Sequence, residues 1–187
     1  MIQLKDHELT VRTLRPEDAE HLVTFSQKNA EFLYPSGLVL LPDDLTVDKW
    51  DEYIQTAAQE LHKGTAVRFL IFHQDNGAVP IGKINYSQIF RGVFQACYLG
   101  YGIDKDYTGK GIMTRALQLT NEYMFNELNM HRIMANYMLS NLPSARVLVK
   151  LGFVKEGIAK DYLQINGKWE DHVLTSLTNP NWQEEGE

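Results

Sequence analysis

The stretch Thr108-Gly109-Lys110-Gly111-Ile112-Met113 constrains this chain more than any other, because it joins two different periodicities. Before it, Val93 to Ile103 is apolar and aromatic in the manner of a strand. After it, Ile112, Ala116, Leu119 and Tyr123 recur at helical spacing, with Met113, Leu117 and Met124 beside them. A strand therefore ends, two glycines turn the chain, and a helix starts. The first turn of a helix has unpaired N–H groups and a partial positive charge. Glycines at that point allow a bulky anion to approach the backbone. The segment thus reads as a phosphate cradle, formed around Thr108, Gly109, Lys110, Gly111, Ile112, Met113 and Thr114. Its alternative is an ordinary glycine-containing turn.

Two familiar nucleotide motifs are excluded. A P-loop needs Ser or Thr after the lysine, and Gly111 stands there; no glycine sits five positions before Gly109 either. A dinucleotide fingerprint needs a glycine where Thr114 lies.

Composition narrows the partners. With 187 residues, 44% hydrophobic and 22% charged, the chain has the make-up of a globular domain, expected to span 1–187 with a core at about 10–178. A net charge of −6 disfavours direct nucleic-acid readout, which calls for a basic surface, and is compatible with a cationic acceptor. No apolar run approaches the ~18 residues of a membrane span, and the N-terminus lacks a signal-peptide pattern. The lone Cys97 excludes an internal disulfide, and its place between Ala96 and Tyr98 suggests core packing. The histidines show no metal-ligand spacing, so no metal is expected. Together these features point to the cytoplasm.

Along the chain, Leu9–Leu14 alternates as a first strand, and Pro16-Glu17-Asp18 opens a helix. Pro35-Ser36-Gly37 breaks the chain, and a second helix follows Pro42-Asp43-Asp44. Strands are expected at 66–73, 81–90, 93–103 and 132–138, then a helix from Pro143 to Leu151 ended by Gly152. Two last strands, at 153–165 and 168–177, flank Asn166-Gly167, a strong hairpin signal. The tail 183–187 is expected to fray. Interleaved helices and strands make a mixed α/β layer structure.

Three segments carry a family resemblance. Thr108–Met113 resembles the pyrophosphate loop of the GCN5-related N-acetyltransferases (GNAT), Gln/Arg-x-x-Gly-x-Gly/Ala, with Thr108 and Met113 departing from the pattern. Asn141-Leu142-Pro143-Ser144-Ala145-Arg146 resembles the family's Asn-x-x-Ser-x-Arg/Ala segment. Lys150–Gly157 resembles its Leu-Gly-Phe-x-x-Glu-Gly segment, and all three occur in the family's order. The region from His131 to Met138, with Asp161-Tyr162, Trp169 and 171–175, is similar to the RimJ-type branch, which acetylates the N-terminal alanine of a small-subunit ribosomal protein.

The resemblance implies a twisted, mostly antiparallel central sheet flanked by about four helices. It implies acetyl-CoA as cosubstrate, with Tyr101, Gly102 and Ile103 contacting its acetyl and pantetheine parts, residues 108–114 its pyrophosphate, and Asn141 its pantetheine. Asn141 is equally suited to cap the helix that follows. Arg146 is a candidate phosphate contact or a solvated side chain. Many members stabilise the departing thiolate with a tyrosine seven residues after the asparagine, where this chain has Leu148; Ser144 takes the role in Rim-type members. The general base is open, with Glu156 and Asp161 candidates by type. Tyr34, Trp50 and Tyr53 fall in the part that shapes the acceptor site in the family, and each is also suited to ordinary core. The expected activity is acetyl transfer to a protein N-terminal amine. Alternatives are a small amine such as a polyamine or aminoglycoside as acceptor, or a non-catalytic coenzyme-A-binding or ribosome-assembly module.

Overall fold

The structure is a computed structural model that describes residues 1–36 and 45–184. Gly37, Pro42-Asp43-Asp44 and the last three residues of the tail lie outside the described residues.

Eight strands form one sheet: β1 (Gln3–Asp6), β2 (Leu9–Thr13), β3 (Val67–His73), β4 (Gly82–Phe90), β5 (Ala96–Ile103), β6 (Arg132–Met138), β7 (Val154–Ile165) and β8 (Lys168–Thr178). Their order is β1-β2-β3-β4-β5-β6-β8-β7, antiparallel throughout except for β5 and β6, which run parallel. Among the described residues four α-helices flank the sheet: α1 (Ala19–Leu33), α2 (Val47–Lys63), α3 (Ile112–Asn126) and α4 (Leu142–Lys150). The mixed α/β architecture anticipated from the sequence is the one observed.

Strand alternation separates two cores. On one face, Val67, Phe69, Ile71, Ile84, Tyr86, Cys97, Leu99, Ile133 and Ala135 pack under Ile112, Met113, Ala116 and Leu117 of α3 and Leu148 of α4. On the other, Leu70 and Phe72 pack against Ala19 and Leu22 of α1 and Trp50 and Ile54 of α2. Full burial of a side chain such as Leu22 contributes roughly 1.5–3 kcal/mol.

Local sequence accounts for most boundaries. Thr46 caps α2 by accepting the Lys49 N–H at 3.4 Å, and Gly64 ends that helix at φ 67°. Asn166 and Gly167, at φ 51° and 82°, supply the two left-handed residues that a tight β7–β8 hairpin needs. Two departures from expectation are informative. β1, which the sequence reading did not include, pairs with β2 over Gln3–Asp6 and is pinned to α3 by Arg115, which bonds Glu8 and also pairs with Asp6. β5 begins at Ala96 rather than Val93, because Val93 and Phe94 are exposed in the turn after Phe90. The tail is tied down as far as Gln183, whose carbonyl accepts the Asn129 amide at 3.0 Å.

Candidate active site

The site grows from a fault in the sheet. β5 and β6 pair at only three positions, Ala96↔Arg132, Cys97↔Ile133 and Tyr98↔Met134. Beyond these the strands part, although β5 stays paired with β4 as far as Ile103. Parallel strands cannot be joined by a short turn, so the connection must cross through a helix, here α3. The Asp104 N–H donates to the Ile81 carbonyl at 2.8 Å. Counting back from this bond along the alternating ladder, the backbone groups of Gly102 face β4, while those of Tyr101 and Ile103 face the open gap.

The cradle stands at the mouth of this gap. Gly109 and Gly111 hold φ of 73° and 76°, the left-handed region open to glycine, and Gly111 is the N-cap of α3. Among the described residues, the N–H groups of 109–114 donate to no protein acceptor. Ile112 and Met113 point their side chains into the core, so they offer only backbone to a ligand. Thr108 Oγ1 donates to the Lys105 carbonyl at 2.9 Å and fixes the approach to the turn. A Cβ at Gly109 or Gly111 would meet nothing within 4 Å, so the space before this helix is open. Converging N–H donors at a helix N-terminus, beside an open strand gap, fit a pyrophosphate followed by an extended chain. Residues 109–114, Tyr101 and Ile103 are those that fit coenzyme A.

A polar clamp holds the cradle in place. The buried Asp104 carboxylate accepts from Asn29 Nδ2 at 3.1 Å and from the Asp106 N–H at 2.9 Å, and pairs with Lys28 Nζ at 2.8 Å. Asn29 Oδ1 in turn accepts the Lys105 N–H at 3.0 Å. Burial alone would raise the Asp104 pKa, but Lys28, the Asp106 N–H and Asn29 together hold it below the usual carboxylate value. The clamp joins α1 to the loop that leads into the cradle; the sequence reading missed it, since Asn29 and Asp104 lie far apart in the chain.

Across the gap, Asn141 caps α4 by accepting the Ser144 N–H at 3.2 Å. Ser144 Oγ lies 2.8 Å from the Tyr101 hydroxyl, which also reaches the Ser144 carbonyl at 3.3 Å. Burial pushes the Tyr101 phenol up to about 12, so it stays protonated and able to donate. A phenol that donates to Ser144 Oγ leaves the serine O–H free to donate elsewhere. Tyr101, expected as a coenzyme contact, thus also brings its side chain to Ser144. Leu148 is buried under the sheet, and Arg146 is exposed with no ion pair among the described residues.

The remaining candidates divide cleanly. The Glu156 carboxylate is held by Arg132 and by Ser176 Oγ, at the closed end of the gap, and these bonds keep its pKa low. That makes it a poor base. Asp161 is exposed, and its N–H donates to Asp171 at 3.0 Å. Cys97 is fully buried, and burial pushes its thiol up to about 12. Trp50 is core, Tyr53 packs beside it, and Tyr34 is exposed, its carbonyl accepting the Asn166 amide of the β7–β8 turn at 2.9 Å. No cluster of three or more potential metal ligands occurs among the described residues.

The sequence model of the family described as acetyltransferase (GNAT) domain matches residues 8–154. The chain belongs to the GNAT acetyltransferases. It is 42% identical over 182 residues to the ribosomal protein uS5-alanine N-acetyltransferase of Escherichia coli, covering 97% of this chain and 93% of that protein. Among solved structures it is similar to the ribosomal-protein-S5-alanine acetyltransferase of Vibrio fischeri, with a TM-score of 0.94 and 37% identity over 98% of this chain and all of that one. It is also similar to Mycobacterium smegmatis RimJ in complex with CoA-disulfide, with a TM-score of 0.86 and 26% identity over 95% of this chain and 85% of that one. As a GNAT family member, the chain is an acetyl-CoA-dependent N-acetyltransferase.

Proposed function

We propose that this acetyltransferase acts on a protein N-terminal α-amine, with the N-terminal alanine of ribosomal protein uS5 as the acceptor. The observation that carries the acceptor is the 42% identity, along nearly the whole chain, to an enzyme of that activity. The observation that carries the donor is the cradle of free N–H groups beside the β5–β6 gap.

Acetyl-CoA, when bound, supplies an acetyl thioester. The N–H groups of 109–114 hold its pyrophosphate, and the gap-facing backbone of Tyr101 and Ile103 aligns its extended arm. Asn141, with Oδ1 committed to the helix cap, has its Nδ2 left for that arm. Ser144 Oγ–H, free whenever the Tyr101 phenol gives its proton to Oγ, donates to the departing sulfur. The acceptor needs little help in losing its proton: an α-amine with pKa near 7.7–8.0 is roughly a tenth to a sixth neutral at pH 7, whereas a lysine near ~10.4 is neutral in fewer than one molecule in a thousand. A strong carboxylate base is therefore not required, in keeping with the commitment of Glu156 to Arg132.

The test is a rate comparison with acetyl-CoA. A peptide with a free N-terminal alanine should exceed free lysine, spermidine and an α-blocked peptide with internal lysines in kcat/KM, and its rate should rise through about pH 7–8. A far higher kcat/KM for spermidine or an aminoglycoside would replace this reading with a small-amine one, and no turnover of any amine would favour a binding module.

A further inference from the structure

Lys83 is a cation whose place the mechanism does not use. It lies on β4, register-paired with Gly102, on the face covered by α1 and α2. Its Nζ sits 4.9 Å from the Trp50 ring centroid and 5.6 Å from that of Phe25. Among the described residues it forms no ion pair and no hydrogen bond. The other lysine tied to this face of α1, Lys28, has two carboxylates, Asp104 and Asp106, each at 2.8 Å. Lys83 as a whole is intermediate in exposure, neither buried nor fully solvated.

The neighbourhood offers no carboxylate to Lys83 among the described residues, and the amide oxygen of Asn85, two residues along β4, accepts from the Tyr53 hydroxyl at 3.4 Å. Trp50 is 6% exposed, and its indole N–H has no partner among the described residues. The β5 positions across from Lys83 and Asn85 on this face are Gly102 and Gly100. Leu33 covers Gly102 at 3.7 Å from where its Cβ would be, while nothing lies within 4 Å at Gly100. Gly100 is thus an open step of bare backbone, diagonal to Lys83 and within reach of a long side chain. The same strand carries the gap-facing groups of Tyr101. A peptide that brings its terminal amine to the gap across Gly100 passes Lys83 within its first few residues.

An ammonium held by two aromatic rings is only partly compensated, because cation–π contacts replace a fraction of its lost hydration. A carboxylate restores the balance and a second cation worsens it. Burial alone pushes the Lys83 amine down to about 8, in line with the missing countercharge.

We propose that Lys83, backed by Trp50, is a specificity-determining residue of the acceptor side, and that its ammonium receives a carboxylate side chain near the N-terminus of the acceptor peptide. This rests on the N-terminal acetyltransferase reading above. It also predicts, apart from amine pKa, that polycationic acceptors are disfavoured.

The test uses N-terminal alanine peptides that differ by Glu, Gln or Lys at positions two to four. The wild-type enzyme should favour Glu over Gln at one of these positions by about tenfold in kcat/KM, through KM, with Lys worse than Gln, and salt should weaken the preference. Lys83→Met should bring the Glu peptide to the KM of the Gln peptide while acetyl-CoA affinity and melting temperature stay as in the wild type; Lys83→Arg should keep the preference. A wild-type enzyme indifferent to Glu at all three positions, or a Lys83→Met variant that keeps the preference, overturns the inference. If the Met variant does not fold, the wild-type Glu/Gln ratio and its salt dependence decide the matter alone. Failure to acetylate any of the peptides overturns the acceptor reading itself and this inference with it.

Discussion

The two sides of the β5–β6 gap are built from different materials. The proposed coenzyme side is mostly backbone: N–H groups of 109–114 and the edge of Tyr101 and Ile103 that is unpaired among the described residues. The proposed acceptor side is mostly side chains that meet from distant elements, such as Lys83 with Trp50 and Phe25. A backbone site depends less on which side chains line it, so long as glycine stays where conformation requires it and proline does not remove an N–H donor. A side-chain site changes with each residue that lines it. One fold can therefore keep its donor and vary its acceptor.

The largest expected effect tests the backbone half. Gly111→Val places a β-branched residue at φ 76° in the space open to the ligand. It should weaken acetyl-CoA binding on the order of 100-fold by calorimetry, since several charge-assisted N–H bonds are lost together. The melting temperature should fall only modestly, as left-handed strain costs about 1–2 kcal/mol. Unchanged affinity would show that the phosphate is held elsewhere.

Next comes Ser144→Ala, which removes a side chain from the otherwise backbone-built side. It should lower kcat about 10–100-fold, below the loss usual for an oxyanion donor because a thiolate is the easier charge to carry, with acetyl-CoA affinity nearly unchanged. Wild-type turnover in this variant would exclude Ser144 from the chemistry.

Asp104→Asn loosens the clamp between the halves and should cost about 1–3 kcal/mol of stability at pH 7. The folded-state pKa of Asp104 is depressed, so its contribution is full above the unfolded value of 3.8 and is lost as pH falls through the folded one. Urea melts of wild type and variant should therefore differ at pH 7 and converge as pH falls below 3.8 and through the depressed folded-state pKa. A constant difference across that range would mean that the Asp104 charge is not what the clamp uses.

Smallest is Tyr101→Phe. It removes the hydroxyl partner of Ser144 but not the serine, and should reduce kcat a few-fold, about 1 kcal/mol. An effect as large as that of Ser144→Ala would make the phenol itself the donor to sulfur.

The same contrast decides what the sequence could reveal. The cradle was legible because φ above zero demands glycine, and Gly109 and Gly111 stand where a strand period gives way to a helical one. The Asn166-Gly167 hairpin was legible for the same reason. Asn141 and Ser144 were legible through their resemblance to the family's Asn-x-x-Ser segment, and Asn141 also as a cap before Leu142-Pro143. The clamp of Asn29, Asp104 and Lys28 was not, since it joins residues some 75 positions apart and neither partner has a local signature. Lys83 reads in the sequence as one more surface charge between Gly82 and Ile84; only the packing of α1 and α2 over β4 sets it among aromatic rings. β1 was passed over because four residues, half-exposed along their length, carry too little pattern to stand out.

The central claim is that backbone N–H groups at the start of α3 hold the coenzyme. Amide chemical shifts followed by NMR during titration with coenzyme A test it directly. The largest changes should fall on Gly109, Lys110, Gly111, Ile112, Met113 and Thr114, followed by Tyr101 and Ile103, with Lys83 and the Trp50 indole nearly unmoved. Saturable shifts centred on Lys83 and Trp50, with residues 109–114 unmoved, would contradict it.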